Sequence, residues 1–564
     1  MSSVNKRIGL LGLLGSLALA GCGGEVESQS GADPMQSLAQ RAGAPLFEGM
    51  GDYHMPITTA DPDAQHYFDQ GMVLAFGFNH AESIRSFRAA QTLDPTCAMC
   101  FWGEALATGP NINVTSNGKA IMAPAERASA RAAIDQALAL MDGVTPKEQD
   151  WIRALDQRYD GKADTPRDPL DRAWADALSD MASRYPDDTT VASVYAEALM
   201  NTMPWDYWGP DGEAKPDTQA VIASLEAVMD ADPDHPLALH LYIHALEASS
   251  NAAKAEPAAD RLANLVPGSG HLVHMPSHIY FRVGRYQDSA LANIRAAEVD
   301  EAYIAQCNAQ GFYPALYYPH NIHFLWASAT MQGQSALSLD SARRVVANVR
   351  VEQVEQFPTI QFFRTVPMLS LVRFARWEEI LEEPEPYEAF AFARAIWHYG
   401  RGVAHAALGD AETAMVELAA IEALEPEVDE IFMGNVYPAR DLLGIAKALL
   451  RGEMAYRAGE VANAVLAFEE AVTLQDALPY TEPPFWYYPT RQSLGAALLA
   501  SDRVAEAQAV FEADLEQYPM NGWSMFGLAE ALRRQGDEAG AEQITARFET
   551  VWQFADVSLS TSIL

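Results

Sequence analysis

His240-Leu241-Tyr242-Ile243-His244 and His274-Met275-Pro276-Ser277-His278 each set two imidazoles four residues apart. On a helix, positions i and i+4 project from one face, a turn apart. From His240 to His274 is 34 residues, and from His244 to His278 is again 34. That is the period of stacked helix–turn–helix units, so equivalent positions on consecutive hairpins carry the same pair. A third pair, His320-Asn321-Ile322-His323, follows at i,i+3. The stretch from His235 to His323 holds eight of the chain's 13 histidines. Stacking brings such pairs together, and clustered neutral imidazoles suit a borderline transition-metal ion.

Outward from this stretch the hairpin unit repeats. Gln65 to Pro95 reads as one unit, with a turn at Asn79-His80 and a closing Leu93-Asp94-Pro95. Glycine followed by a polar residue and an alanine-rich run recurs at Gly284-Arg285, Gly409-Asp410, Gly459-Glu460 and Gly536-Asp537, where one helix ends and the next begins. Regular hairpins are expected at 395–426, 446–476, 490–519 and 522–551. Two long loops interrupt the pattern, at 203–210 and 307–319, and such loops in a compact array tend to carry function. Alanine and leucine are abundant and β-branched alternation is scarce. The fold class is therefore all-α, a right-handed α-solenoid of tetratricopeptide-type helical hairpins, each burying its apolar face against its neighbours. An N-terminal array is expected over 46–385, carrying the paired cysteines and the histidines, then a C-terminal array over 386–553 and a tail over 554–564.

The first residues read as a processing signal. Lys6 and Arg7 precede an apolar run from Ile8 to Ala20, too short for an ordinary membrane span. Leu19-Ala20-Gly21-Cys22 resembles the lipobox of bacterial lipoproteins, which implies a signal peptide over 1–22, lipidation of Cys22 and an anchor in the cell envelope. Gly23 in the next position implies the outer membrane. Residues 23–45 read as a flexible tether. Acidic residues number 76 against 38 basic ones, a formal charge of -38, which argues against nucleic acid and anionic membrane surfaces as partners. No Walker loop, dinucleotide fingerprint or GxSxG elbow occurs, so nucleotide-dependent chemistry and serine hydrolysis have no motif support.

Phe78-Asn79-His80-Ala81-Glu82, Cys97-Ala98-Met99-Cys100-Phe101-Trp102-Gly103-Glu104-Ala105 and Gly109-Pro110-Asn111-Ile112-Asn113 resemble motifs of a large set of bacterial tetratricopeptide-repeat proteins. So do the histidine segments, including Gly270-His271-Leu272-Val273-His274. The resemblance spans about residues 60–553 and implies the fold and the importance of these positions, but no reaction.

Candidate site residues follow from spacing. His240, His244 and Glu247 form one helical stripe, and His271, His274 and His278 a second, with Pro276 expected to kink the helix. Together with His320 and His323 they are expected to line the concave face as ligands for zinc or, with Met275 nearby, for copper. Glu247 beside a metal-bound water is the candidate general base. The competing reading is a buried network of neutral histidines bonded to backbone and to Tyr242, Tyr280 and Tyr318. The protein is then an interaction scaffold whose concave face takes a protein partner. Cys97 and Cys100 form a CxxC that suits a disulfide in an oxidising compartment, with metal binding or redox chemistry as alternatives. His80, Asn111 and Asn113 serve turns or a polar ligand. Trp205, Glu482, Trp486 and Arg491 form either a ligand-holding wall or inter-repeat packing.

Overall fold

The first full hairpin shows how local sequence sets the architecture. Asp61 caps helix Pro62–Phe76 by accepting from the Asp63 amide at 2.9 Å, and Pro62 occupies the first turn, where a missing N–H costs nothing. Asn79 caps the partner helix His80–Leu93 through the Glu82 amide. The pair closes through a glycine-for-phenylalanine exchange. Phe87 lies where a Cβ on Gly71 or on Gly103 of helix Ala98–Thr108 would fall, at 2.7 and 2.3 Å. The same device returns at Phe511 between Gly495 and Gly527, and at Phe468 against Gly452. A ring from the second helix of a hairpin thus fills the space left by glycines on the first helices around it, which holds neighbouring backbones close.

The computed structural model describes residues 34–116, 119–209, 212–307, 309, 311–356, 358–428 and 437–563. Cys22, the signal segment 1–22 and residues 23–33 of the tether lie outside them. Helical hairpins run through nearly all of the described chain, with one antiparallel strand pair, Thr115–Ser116 and Lys119–Ala120, and the fold is an α-solenoid of tetratricopeptide type. No helix among the described residues is long and apolar enough to cross a membrane.

The histidines sit on three consecutive hairpins. His240 and His244 are on helix Pro236–Glu247. His271 and His274 are on Gly270–His274, and His278 on Pro276–Arg282. The break between the last two segments at Met275–Pro276 is the interruption that the proline imposes. His320 and His323 are on Tyr318–Met331, which grows out of a π-helical turn over Tyr313–Tyr317. Two apolar cores meet at these hairpins: one gathers residues from Leu38 to Tyr317, including Tyr280, and the other begins at Phe281 and runs to Ala531.

The stack is not open there. On one side helix Pro62–Phe76 reaches the first of these elements, with the Phe76 carbonyl 2.7 Å from His240 Nδ1, and the Gly268 amide donates to the Gly49 carbonyl at 2.8 Å. On the other side the C-terminal hairpin Gly522–Arg534 and Glu538–Trp552 returns to Tyr318–Met331. Trp523 Nε1 donates to the Thr330 carbonyl at 3.1 Å, and the Asp556 carboxylate accepts the Ser335 and Ala336 amides at 2.6 and 2.9 Å. The histidines expected to line the concave face are therefore buried, or half-buried at His320, rather than open to solvent from one side. They are enclosed where the two ends of the chain fold back onto the middle.

Candidate metal centre

Six imidazoles form one continuous array, five of them buried and His320 half-buried. Ring centroids are 4.8 Å apart for His240 and His244, 5.0 Å for His240 and His271, 5.8 Å for His271 and His274, and 4.8 Å for His274 and His278 and for His274 and His320. Within the array, His240, His244 and His271 can each turn one ligand nitrogen so that all lie within 4.8 Å of one another, and so can His274, His278 and His320. The 34-residue register is what achieves this: it stacks two stripes on adjoining hairpins, and the i,i+4 spacing keeps each stripe on the shared face.

Hydrogen bonding assigns the tautomers. His240 Nδ1 donates to the Phe76 carbonyl at 2.7 Å, and His244 Nδ1 donates to Glu247 Oε1 at 2.6 Å. Their Nε2 lone pairs are therefore free, and neither Nε2 has a partner; both ring nitrogens of buried His271 also lack one. Buried polar atoms are normally satisfied, and four unpaired ring nitrogens in one place is the arrangement of ligands held from behind by carboxylate and carbonyl. His274 Nδ1 faces Asn293 Oδ1 at 2.5 Å, His278 Nδ1 faces Glu247 Oε2 at 2.5 Å, and the Nε2 atoms of His274 and His278 face each other at 2.9 Å.

Electrostatics follow from enclosure. Burial, reinforced by neighbouring imidazoles, holds His240, His271, His274 and His320 well below the usual histidine range, so they are neutral and can ligate. Burial also lowers His244, against the pull of Glu247. His278 behaves oppositely. Burial works against its charge, but Glu247 and then Glu482 outweigh it and push it up to about 10. Glu247 is held well below the usual carboxylate range by His278 and by both imidazole N–H bonds, despite complete burial. Glu482 is raised, by burial and by the nearby Glu247.

Glu247 therefore does not fit the general-base role. Its Oε1 is engaged by His244 and its Oε2 by His278, it is 1% exposed, and a carboxylate so stabilised is a poor proton acceptor. It positions imidazoles. Glu482 arrives from the loop after helix Val461–Asp476, with Oε2 3.5 Å from His278 Nδ1 and Oε1 bonded to the Tyr480 hydroxyl. Arg282 lies over the Tyr480 ring at 5.4 Å.

Two aromatic residues wall the first histidine set, and both have left-handed backbones that side chains seldom adopt. Phe78 (φ +57°) lies 4.6 Å from the His240 ring and 5.4 Å from that of His271. Trp205 (φ +63°) meets His244 edge-on at 5.2 Å and is 42% exposed, so it sits where the array approaches solvent. Such conformations cost on the order of 1–3 kcal/mol each and persist where the surroundings enforce them, often at functional sites. Trp205 Nε1 donates to Asn113 Oδ1 at 3.1 Å, Asn113 Nδ2 donates to Tyr317 Oη at 3.1 Å, and Tyr317 packs edge-on to His271. The Phe78 contact is not legible from the sequence, although Phe78 opens the Phe78–Glu82 motif.

Other candidates lie apart from the array. His323 turns away, stacked on Trp326 at 5.0 Å and edge-on to Phe363, and burial lowers it to about 3. A step of three residues rotates it off the face that His320 occupies. Asn111 accepts the Asn113 amide at 2.9 Å and approaches His80 Nε2 at 3.4 Å, and burial lowers His80 to about 4. This is turn chemistry one layer behind the site. Trp486 packs on Tyr399 and Tyr487, and Arg491 pairs with Asp476 at 2.6 Å, so both belong to inter-repeat packing. Met275 enters the first apolar core. Cys97 and Cys100 form a disulfide at the start of helix Ala98–Thr108, and Cys307 is free.

No family model matches the chain, and no curated protein matches it. Solved structures with similar helical stacking include the human IFIT1 dimer with m7Gppp-AAAA, 12% identical, covering 76% of this chain and 87% of that one at a TM-score of 0.31. Yeast Tom70, also 12% identical, covers 86% of this chain and 93% of its own at a TM-score of 0.26. The TPR domain of P58(IPK), again 12% identical, covers 59% and 89% at a TM-score of 0.18.

Proposed function

We propose that the protein binds a transition-metal ion, zinc or copper, through His240, His244 and His271. The observation that carries this reading is the set of unpaired buried ring nitrogens backed by the Phe76 carbonyl and Glu247. A structural histidine network would spend those lone pairs on donors. Here three imidazoles converge, with the outer nitrogens of His240 and His244 fixed, a set that would leave one position of a tetrahedral ion for an exogenous ligand as in open zinc sites. The sequence of the first 22 residues adds an envelope location, with Cys22 as the lipidated anchor.

The test is elemental analysis of the mature chain carrying Cys22→Ser, purified without a tag, beside a His240→Ala/His244→Ala/His271→Ala variant. Stoichiometric zinc or copper in the parent and none in the variant supports the reading. No metal in either, after reconstitution with both ions at neutral pH, overturns it.

A second reading is a protein-interaction scaffold. The helical-hairpin fold favours it, as do Leu408, Met415, Val416 and Leu466, large apolar residues left 49%, 54%, 64% and 65% exposed on two successive C-terminal hairpins. That surface is distinct from the enclosed histidines, so the two activities can coexist.

A further inference from the structure

The array contains more ligands than one ion can use. A four-coordinate ion takes about four donors, whereas six imidazoles are contiguous and fall into two groups of three. We propose that this is a two-ion centre, in which His240, His244 and His271 hold one transition-metal ion and His274, His278 and His320 hold a second. The inference rests on the metal-binding reading above and deepens it.

Three linked observations around His278 point to the second ion. First, Glu247 spans both groups: Oε1 takes the Nδ1–H of His244 at 2.6 Å and Oε2 that of His278 at 2.5 Å. One buried carboxylate thus fixes the orientation of one histidine in each group, as carboxylates behind metal-bound imidazoles do. Secondly, His274 and His278 both have Nδ1 directed outward, to Asn293 and Glu247, while their Nε2 atoms face each other at 2.9 Å. A proton held on His278 by Glu247 and Glu482 accounts for this contact when no ion is bound, as an N–H donated to His274. An ion taking the place of that proton would face both Nε2 atoms and also engage His320, whose ring lies against both. For comparison, two nitrogens on one tetrahedral zinc at about 2.0–2.1 Å stand roughly 3.3 Å apart, a small adjustment from the observed spacing. Thirdly, Glu482 sits 3.5 Å from His278 Nδ1 and its Oε2 accepts no hydrogen bond although buried. With Glu247 it supplies two carboxylates against the added positive charge, both on the side of His278 away from His274.

Native mass spectrometry of the mature Cys22→Ser chain, loaded with zinc and separately with copper and then desalted, reads the stoichiometry directly. Two ions per chain are expected in the parent, and one each in His320→Ala and in His271→Ala. One ion per chain in the parent with both metals overturns the two-ion centre and leaves the simpler metal reading standing. No bound ion overturns both. The parent measurement decides the matter even where a variant fails to fold. Among folded variants, loss of both ions in His320→Ala would also refute two separable positions.

Discussion

Glu247→Gln is the most informative single change, because this side chain holds two imidazoles at once. The carboxylate accepts from His244 Nδ1 and His278 Nδ1 at 2.6 and 2.5 Å and is 1% exposed. Glutamine preserves volume but offers one acceptor oxygen and one amide donor. Whichever imidazole faces the amide must turn its own proton to Nε2, and that removes the lone pair that would bind metal. The other imidazole loses a charge-assisted partner for a neutral one. Loss of a partner behind a metal-bound histidine costs about 10–100-fold in metal affinity, so about 1.4–2.7 kcal/mol is expected at each of two positions. Competition titration of zinc against a chromophoric chelator would resolve two weakened binding steps, with circular dichroism confirming the fold. Affinities within about twofold of the parent at both steps would refute the assignment of Glu247 as the shared support.

Four further outcomes follow from other parts of the molecule. Asp514 is completely buried, with Oδ2 accepting from Asn521 Nδ2 and Ser524 Oγ and Oδ1 unpaired, and burial pushes its carboxyl up to about 6 from 3.8. A group raised in the folded state stabilises fully below its unfolded value and loses that contribution as pH rises through the folded one; Asp514→Asn, which can keep both hydrogen bonds, should therefore flatten the fall in denaturant midpoint between about pH 4 and 6, an effect on the order of 3 kcal/mol, and an unchanged slope would count against it. Trp523→Ala should cost about 3–5 kcal/mol and, because its indole donates to the Thr330 carbonyl, should accelerate amide exchange in 318–331 as well as 522–534; a change confined to the last hairpins would contradict the closure. Thiol titration of the denatured Cys22→Ser chain should find one thiol, Cys307, before reduction and three after it, and three at the outset in chain kept from reductant would contradict the disulfide. Bacteria fed labelled fatty acid should label the full-length protein and not Cys22→Ser, and equal labelling of the two would rule out Cys22 as the acceptor.

The hairpin period and the histidine pairs were legible because both are local rules, a 34-residue repeat and an i,i+4 face. The Pro276 break and the Cys97–Cys100 bridge follow from equally short-range chemistry. What spacing could not settle is which partner lies opposite. Glu247 reads as a free base from its helical stripe; only the adjoining hairpin reveals that His278 occupies its second oxygen. Glu482 reads as a wall residue from its aromatic neighbours, and its approach to His278 depends on a return of the chain that no local pattern encodes. His323 shows the reverse error: paired with His320 in sequence, it is turned by one step of helix into the Trp326, Phe362 and Phe363 cluster. Phe78 was hidden because a left-handed phenylalanine leaves no residue-type signature.

The return of both chain ends onto the middle has a temporal consequence. An open stack of hairpins can be completed from its N-terminus unit by unit, each new one leaning only on the last. Here His278 waits for a carboxylate more than 200 positions later, Glu482, and Tyr318–Met331 waits for Trp523. A chain emerging N-terminus first therefore has Phe76, Phe78 and Glu247 beside its first imidazoles early, and lacks only the Glu482 side of His278 until late. The carboxylate pair at His278 is thus completed late, and a chain truncated before Glu482 presents that imidazole with Glu247 alone.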